Sequence, residues 1–319
     1  MTDATTAGPT QDAAAGDAPL PPSPAPPLTV PPSLVPWPLA PLTMAGPVAE
    51  RAWTRLDGDD ACAARGPIVE EVPVAFVYGA RAHVVVMATP ADLEDLAVGF
   101  TVTEGIVASR GDIGTVRVER HATGAELRIE IPAEAVARLD ARSRALPARS
   151  GCGLCGVEAI ADAVRPPRPV TSTMSIEPAA LYAAARALGA RQELNRDAHA
   201  LHAAAWVQAD GTVVIVREDV GRHNALDKVV GALLRAGVEP SMGMLLVTSR
   251  ASVELVQKAA AAGVGILAAV SRPTALAIAV ADACDITLIG LVRDETANIY
   301  SHARRVHGAV HGAPAAGTA

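Results

Sequence analysis

The sequence predicts an α/β fold, and three observations carry that reading. In the C-terminal half, three apolar runs, 244–247, 265–270 and 286–291, the last interrupted only by Thr287, alternate with helical runs. Strands apolar on both faces belong to a covered parallel sheet. Half of the 319 residues are apolar while only 3% are aromatic, so alanine and valine must supply most of the packing, which suits helices laid close on a sheet. Ahead of that half, strand-like and helical runs predict a smaller α+β unit.

Taken in order, residues 1–66 are Ala/Pro/Thr-rich with Pro-Pro pairs at 21–22, 26–27 and 31–32. Proline removes amide donors and favours extended geometry, so this stretch is expected to be a disordered tail. The α+β unit is expected over 67–148. It holds strands at 72–78 and 83–87 about a turn at Gly79, and a helix that Thr89 caps, with Asp92, Glu94 and Asp95 at its positive end. Half-buried strands at 116–118 and 127–131 and a short helix at 133–139 complete it. A thiol-bearing loop and linker span 149–170, an α/β ligand-binding domain 171–305, and a flexible tail 306–319. In the α/β domain a helix over 177–188 precedes a hairpin that turns at Asp210-Gly211. Asn224 is a good N-cap for a helix over 225–235. The helices 252–262 and 274–284 separate the three apolar strands.

Composition excludes some functions. A net charge of −7 argues against a general nucleic-acid binder. No Lys or Arg precedes Arg51, and no apolar run approaches the ~20 residues of a membrane helix, so a cytoplasmic protein without a membrane partner is expected. Of four cysteines, Cys62 and Cys284 sit in alanine-rich context and read as ordinary small residues.

The other two stand in Arg149-Ser150-Gly151-Cys152-Gly153-Leu154-Cys155-Gly156. Three glycines let such a loop present and move both sulfurs, which a structural cysteine does not need. A redox dithiol, half of a zinc site and a sulfur-carrying nucleophile all fit this pattern. His199 and His202 supply a weak second half for zinc. No His is followed two residues later by Glu, which argues against zinc-dependent deamination. The loop is too loose for a thioredoxin-like motif, whereas a persulfide carrier needs a mobile thiolate and an acceptor site close by.

An acceptor site is expected where ligands of open α/β sheets bind, outside the carboxyl ends of the strands. Those ends carry Arg222-His223, Arg250, Arg272 and Arg293, and helix N-termini add partial positive charge there. The pattern predicts a phosphate or pyrophosphate pocket. His223 is a candidate donor to the anion. Asp227 and Lys228, on the first turn of a helix, are expected to form a solvated charged face.

At this point the residues resemble a known family. Gly151-Cys152-Gly153-Leu154-Cys155-Gly156 together with Glu218-Asp219-Val220-Gly221-Arg222-His223-Asn224-Ala225-Leu226-Asp227-Lys228 closely resembles the formate dehydrogenase accessory sulfurtransferases of the FdhD family. Met87-Ala88-Thr89-Pro90, Leu96 to Phe100, Glu254 to Ala259 and Asn298-Ile299-Tyr300 extend the likeness over about 68–302. The resemblance implies a sulfurtransferase with a cysteine persulfide intermediate and no metal of its own. Sulfur would pass from a cysteine desulfurase to the molybdenum cofactor, Mo-bis(molybdopterin guanine dinucleotide), which is held as a substrate before insertion into formate dehydrogenase. It also implies a cytidine deaminase-like C-terminal domain and a homodimer. Cys152 falls on the family's persulfide position and Cys155 on an assisting one. The family's cofactor-binding stretch falls on Leu291, Val292, Arg293, Asp294, Glu295 and Thr296. Arg222, His223, Asn224, Arg250, Ser271 and Arg272 line the same expected pocket. The sequence departs from the family at Gly151, Ser249, Ala297 and 198–201, which bears on pocket shape and leaves both thiols in place. The alternative is a zinc-stabilised or guanine-nucleotide-binding module that transfers no sulfur.

Overall fold

The computed structural model describes residues 46–145 and 169–309. The first described element corrects the expected tail. β1 (Val48–Asp57) and β2 (Asp60–Val69) pair antiparallel along their whole length, from Val48 opposite Val69 to Asp57 opposite Asp60. The cause is local: Asp57-Gly58 is a hairpin turn signal, and Gly58 takes the positive φ of 61° that the two-residue loop requires.

The α+β unit follows. β3 (Val72–Tyr78) and β4 (Arg81–Ala88) form a hairpin about Gly79. After α1 (Leu93–Thr103) come β5 (Val116–His121), β6 (Gly124–Ile129) and α2 (Ala133–Ala145). β6 lies parallel to β3, which gives the sheet order β4-β3-β6-β5. Phe76, Leu93, Leu96 and Leu127, all fully buried, centre its core. α2 runs six residues past its expected end at 139. Thr89 caps no helix: the N-cap of α1 is Asp92, at φ 53°.

The second part opens with α3 (Pro178–Ala190) and α4 (Asn195–Ala198). Next come β7 (His202–Val207), β8 (Val213–Asp219) and α5 (Arg222–Arg235). β9 (Met244–Val247), α6 (Val253–Ala261), β10 (Ile266–Ala269), α7 (Ala275–Ala283), β11 (Thr287–Arg293) and β12 (Thr296–Ile299) complete it. These strands make one sheet of order β12-β11-β10-β9-β7-β8. It is parallel only through β9, β10 and β11, because β7 pairs antiparallel with both β8 and β9, and β12 folds straight back on β11. The expectation of a parallel sheet is corrected accordingly. A short turn at Gly211 (φ 86°) admits only an antiparallel partner.

Helices cover both faces of this sheet. α5, α6 and α7 bury Leu226, Leu233, Leu255 and Ala277 against one side. α3 buries Leu181, Ala184 and Leu188 against the other. The expected domain limits shift at both ends. Val170, inside the expected linker, is buried and donates its amide to Cys284 O, and Val306 is buried and bridges Ile176.

Candidate functional site at the carboxyl edge of the sheet

Since β8 and β9 both run antiparallel to β7, and β9, β10 and β11 run parallel, β8, β9, β10 and β11 all point the same way. Their carboxyl ends therefore face one edge of the sheet, as an open α/β site requires. Arg222 and His223 follow β8 on the first turn of α5, Arg250 follows β9, Ser271-Arg272 follow β10, and Arg293 ends β11.

Backbone bonds stitch these loops together. Val270 N donates to Val247 O at 3.0 Å, Thr274 N to Ala251 O at 3.1 Å, and Leu291 N to Ser271 O at 3.1 Å. Leu291, at φ 56°, sits in the irregularity where β11 shifts register against β12 between Gly290 and Arg293. Gly290 is required there, since a Cβ would lie 2.8 Å from Pro273 Cδ and 3.0 Å from Ser271 O. Arg250, Arg272, Arg293, Asp294, Glu295 and Thr296 are exposed, whereas the Val292 side chain turns into the core. Ser249, standing at a departure from the family pattern, is buried and donates to Arg250 O, so its hydroxyl stays on its own loop.

Two residues at the edge behave differently from expectation. Asn224 is no helix cap. It is buried, and its Nδ2 donates to Met87 O at 2.9 Å and to Asp219 Oδ1 at 3.0 Å, so both amide hydrogens are committed inside the protein. The N-cap is Gly221, where a Cβ would meet Asn224 Nδ2 at 2.8 Å. His223 Nε2 lies 3.4 Å from Ser252 Oγ and 3.8 Å from Glu254 Oε2. Burial first, then the Arg222 guanidinium, push His223 down to about 4, so it is neutral near pH 7. Burial and Arg222 also hold His202 low. Arg222 itself has a buried Nε with no hydrogen-bond partner among the described residues, a donor that an arriving anion would satisfy.

Sequence reasoning missed what holds this edge in place. Asp227 and Lys228 are not a solvated face; they are 1% and 0% exposed. Lys228 Nζ lies 2.6 Å from Asp219 Oδ2 and donates to Thr89 O at 3.0 Å and Glu218 O at 3.4 Å. Asp219 in turn accepts from Thr89 N at 3.1 Å and Gly221 N at 2.8 Å. The Glu218 carboxylate accepts from Leu194 N and Asn195 N at 2.8 and 2.9 Å. Next to Lys228 in α5, Asp227 Oδ2 lies 2.9 Å from Lys258 Nζ, which also bonds Glu104 at 2.6 Å and Thr103 Oγ1 at 3.1 Å. Burial, only partly opposed by Lys258, pushes the Asp227 carboxyl up to about 6. The signal available in the sequence was an Asp-Lys pair set among Ala225, Leu226, Val229 and Val230, whose helical spacing places it on an apolar face.

α1 and α5 meet at two glycines. A Cβ at Gly99 would fall 1.8 Å from Asp227 O, and one at Gly231 1.8 Å from Asp95 O. The helix backbones thus touch, which lets Thr103 reach Asp227 at 2.6 Å and Arg217 reach Asp95 at 2.8 Å.

Cys152 and Cys155 lie outside the described residues, so the thiol readings have no geometry here. His202 is the first residue of β7, and His199 is exposed at the C-cap of α4. Among the described residues the clustered metal-type ligands are Glu119, His121 and Glu126, a set that includes neither histidine, and Arg128 already bonds both of its carboxylates. A groove of about 330 Å³ between α3 and β12 is lined by Leu181, Tyr182 and Ile299 and by none of the expected site residues.

Comparison with known proteins finds relatives of this chain over most of its length. A model of the FdhD/NarQ family matches residues 69–307. A protein of Cupriavidus necator called sulfur carrier protein FdhD is 50% identical over 239 residues, 75% of this chain and 83% of that protein. One of the same name from Xanthomonas euvesicatoria is 50% identical over 249 residues, 78% of this chain and 89% of that protein. A crystal structure described as a candidate formate dehydrogenase accessory protein of Desulfotalea psychrophila is similar in fold, with a TM-score of 0.64 and 20% identity, over 81% of this chain and 99% of that one. Among the described residues no helix is long and apolar enough to cross a membrane.

Proposed function

This chain belongs to the FdhD/NarQ family, and on that footing we propose that it is a sulfur carrier acting in formate dehydrogenase maturation. It takes a sulfane sulfur from a cysteine desulfurase as a persulfide on Cys152, with Cys155 assisting. It delivers that sulfur to Mo-bis(molybdopterin guanine dinucleotide), held as substrate before insertion into formate dehydrogenase. The reading includes a cytoplasmic homodimer and a cytidine deaminase-like C-terminal domain, in keeping with a mixed sheet covered by helices on both faces.

One observation supports the acceptor half above the others: four strand carboxyl ends that share an edge each carry an arginine, and one of these has a buried donor without a partner among the described residues. Guanidinium groups and the first amides of α5 and α6 suit the pyrophosphates of a guanine dinucleotide. Asp294 and Glu295 stand at the far end of that edge, where they would face away from phosphate and toward groups that donate hydrogen bonds.

The donor half is tested by mass. Protein incubated with a desulfurase and cysteine gains about 32 Da per sulfur on Cys152, and Cys152→Ser abolishes both the gain and the restoration of formate dehydrogenase activity in a strain lacking the protein. A Cys152→Ser protein that still acquires and delivers sulfur defeats the proposal. A guanine-nucleotide binder without thiol chemistry would complement with both cysteines replaced, and a zinc-stabilised module would purify with stoichiometric zinc.

A further inference from the structure

Among the described residues the β1-β2 ribbon has no core of its own. Twenty residues form two strands that are mostly exposed, none of them belongs to any of the three buried clusters, and Trp53, Leu56 and Ile68 lie open at 42%, 74% and 43%. An isolated two-stranded ribbon is marginal in water and is stabilised by further strands or a covering surface. Among the described residues both outer edges are unpaired. β2 touches α4 and carries Pro67, which has no amide to donate, so the edge fitted for extension is that of β1.

The sequence of β1 is complementary to itself. When two copies pair antiparallel about a two-fold axis through Thr54, Arg51 stands opposite Asp57 of the other copy, and Trp53 opposite Arg55, each twice. On the reverse face Ala52 meets Leu56. Opposite charges, an arginine on an indole and two apolar side chains are the favourable cross-strand pairs of a sheet. Moving the axis by one residue to Trp53 sets Arg51 against Arg55, and moving it to Arg55 sets that arginine against itself. Within one copy Arg51 hydrogen-bonds Glu70, whereas Arg55 stands 3.8 Å from Asp57, and the Arg51, Arg55 and Asp57 side chains are 56%, 66% and 80% exposed, open to a partner strand.

We propose that β1 is a self-recognition strand, joining the ribbons of two copies of this chain into one four-stranded antiparallel sheet centred on Thr54. The inference rests on the homodimer in the reading above and on none of its sulfur chemistry. A strand extension of this length is a small interface, so the dimer forms and dissociates with dilution.

The test uses the full chain and its sedimentation as a function of concentration. Arg51→Glu places two like-charged pairs across the axis, as does Asp57→Arg, and each weakens dimerisation by about tenfold. Mixing the two variants sets the introduced glutamate of one against the introduced arginine of the other, and leaves the native Asp57 of the first facing the native Arg51 of the second. Both pairs are again of opposite charge, so the mixture dimerises with the affinity of the unaltered protein. Both positions are exposed, and a single cooperative melting transition confirms that each variant is folded, Arg51→Glu melting somewhat lower because it gives up the pair with Glu70. Dimers insensitive to both substitutions overturn the surface while leaving a homodimer standing. Weakened variants that fail to recover on mixing overturn the register, and an unaltered chain that stays monomeric at all concentrations overturns both. Mass gain at Cys152 is scored separately, so none of these results bears on sulfur loading.

Discussion

Replacing Gly99 with alanine sets two effects of opposite sign against each other. In an exposed helix interior, Gly to Ala gains about 1 kcal/mol, because alanine loses less backbone freedom on folding. Here the added methyl would lie 1.8 Å from Asp227 O, 2.6 Å from its carbonyl carbon and 2.9 Å from Gly231 N, all backbone atoms of α5 that cannot rotate aside. The helices must part by more than an ångström to restore ordinary contact. Overpacking of this kind costs about 1–3 kcal/mol and sometimes more. Parting also lengthens the 2.6 Å bond from Thr103 to Asp227 inside a buried ionic cluster, at about 1–3 kcal/mol for a buried group left short of its partner. The clash outweighs the propensity, and Gly99→Ala should lose about 3 kcal/mol. Chemical denaturation measures it, with Gly189→Ala as the control: Gly189 lies in α3 with none of the described residues within 4 Å of an added Cβ, and should gain up to about 1 kcal/mol. If both variants are stabilised alike, the helices do not touch at Gly99 and the reasoning fails.

Other outcomes follow from the same contacts. Lys228→Met leaves Asp219 buried without its cation and should cost about 3–5 kcal/mol in denaturation, because breaking a buried pair strands a charge. Asp227 has a folded pKa of about 6, above its ordinary 3.8, so the stability it contributes is complete below pH 4 and is lost as pH rises toward 6. Across that window the unaltered protein should therefore lose about 3 kcal/mol relative to Asp227→Asn in stability-versus-pH curves. A constant difference would show that Asp227 ionises normally. His223, pushed down to about 4, should remain neutral through pH 5 in an NMR titration, and Glu254→Gln should depress it further by removing the carboxylate that favours its charged form.

The parallel core of the sheet was legible because β9, β10 and β11 are short, apolar runs separated by helices that begin near Ser252 and Thr274 as the sequence indicates, whereas the antiparallel flanks were not. The basic edge was legible for the same reason at Arg250, Arg272 and Arg293, which follow apolar runs by two or three residues, whereas Arg217, directly after the run 213–216, lies inside β8 and bonds Asp95. Composition misled at 48–66, where an Asp-Gly turn inside an Ala- and Pro-rich context builds a ribbon. It misled again at Thr89, Asn224, Asp227 and Lys228. Each has the chemistry of a cap or a surface charge, but its partner is 124 to 139 residues distant in the chain or on another helix. Local pattern carries no information about such partners, whereas helical spacing on α5 does show that Asp227 and Lys228 face inward.

Both lysines near the edge point into the interior, so the positive charge left facing solvent at the strand ends is carried by guanidinium groups, beside an imidazole that stays uncharged. Guanidinium keeps its proton at any pH at which the protein is folded. Acidification or alkalinisation within the physiological range should therefore leave the hold on an anionic guest unaltered, and added electrolyte, which shields exposed charge over about 10 Å at 0.1 M, is the variable that loosens it.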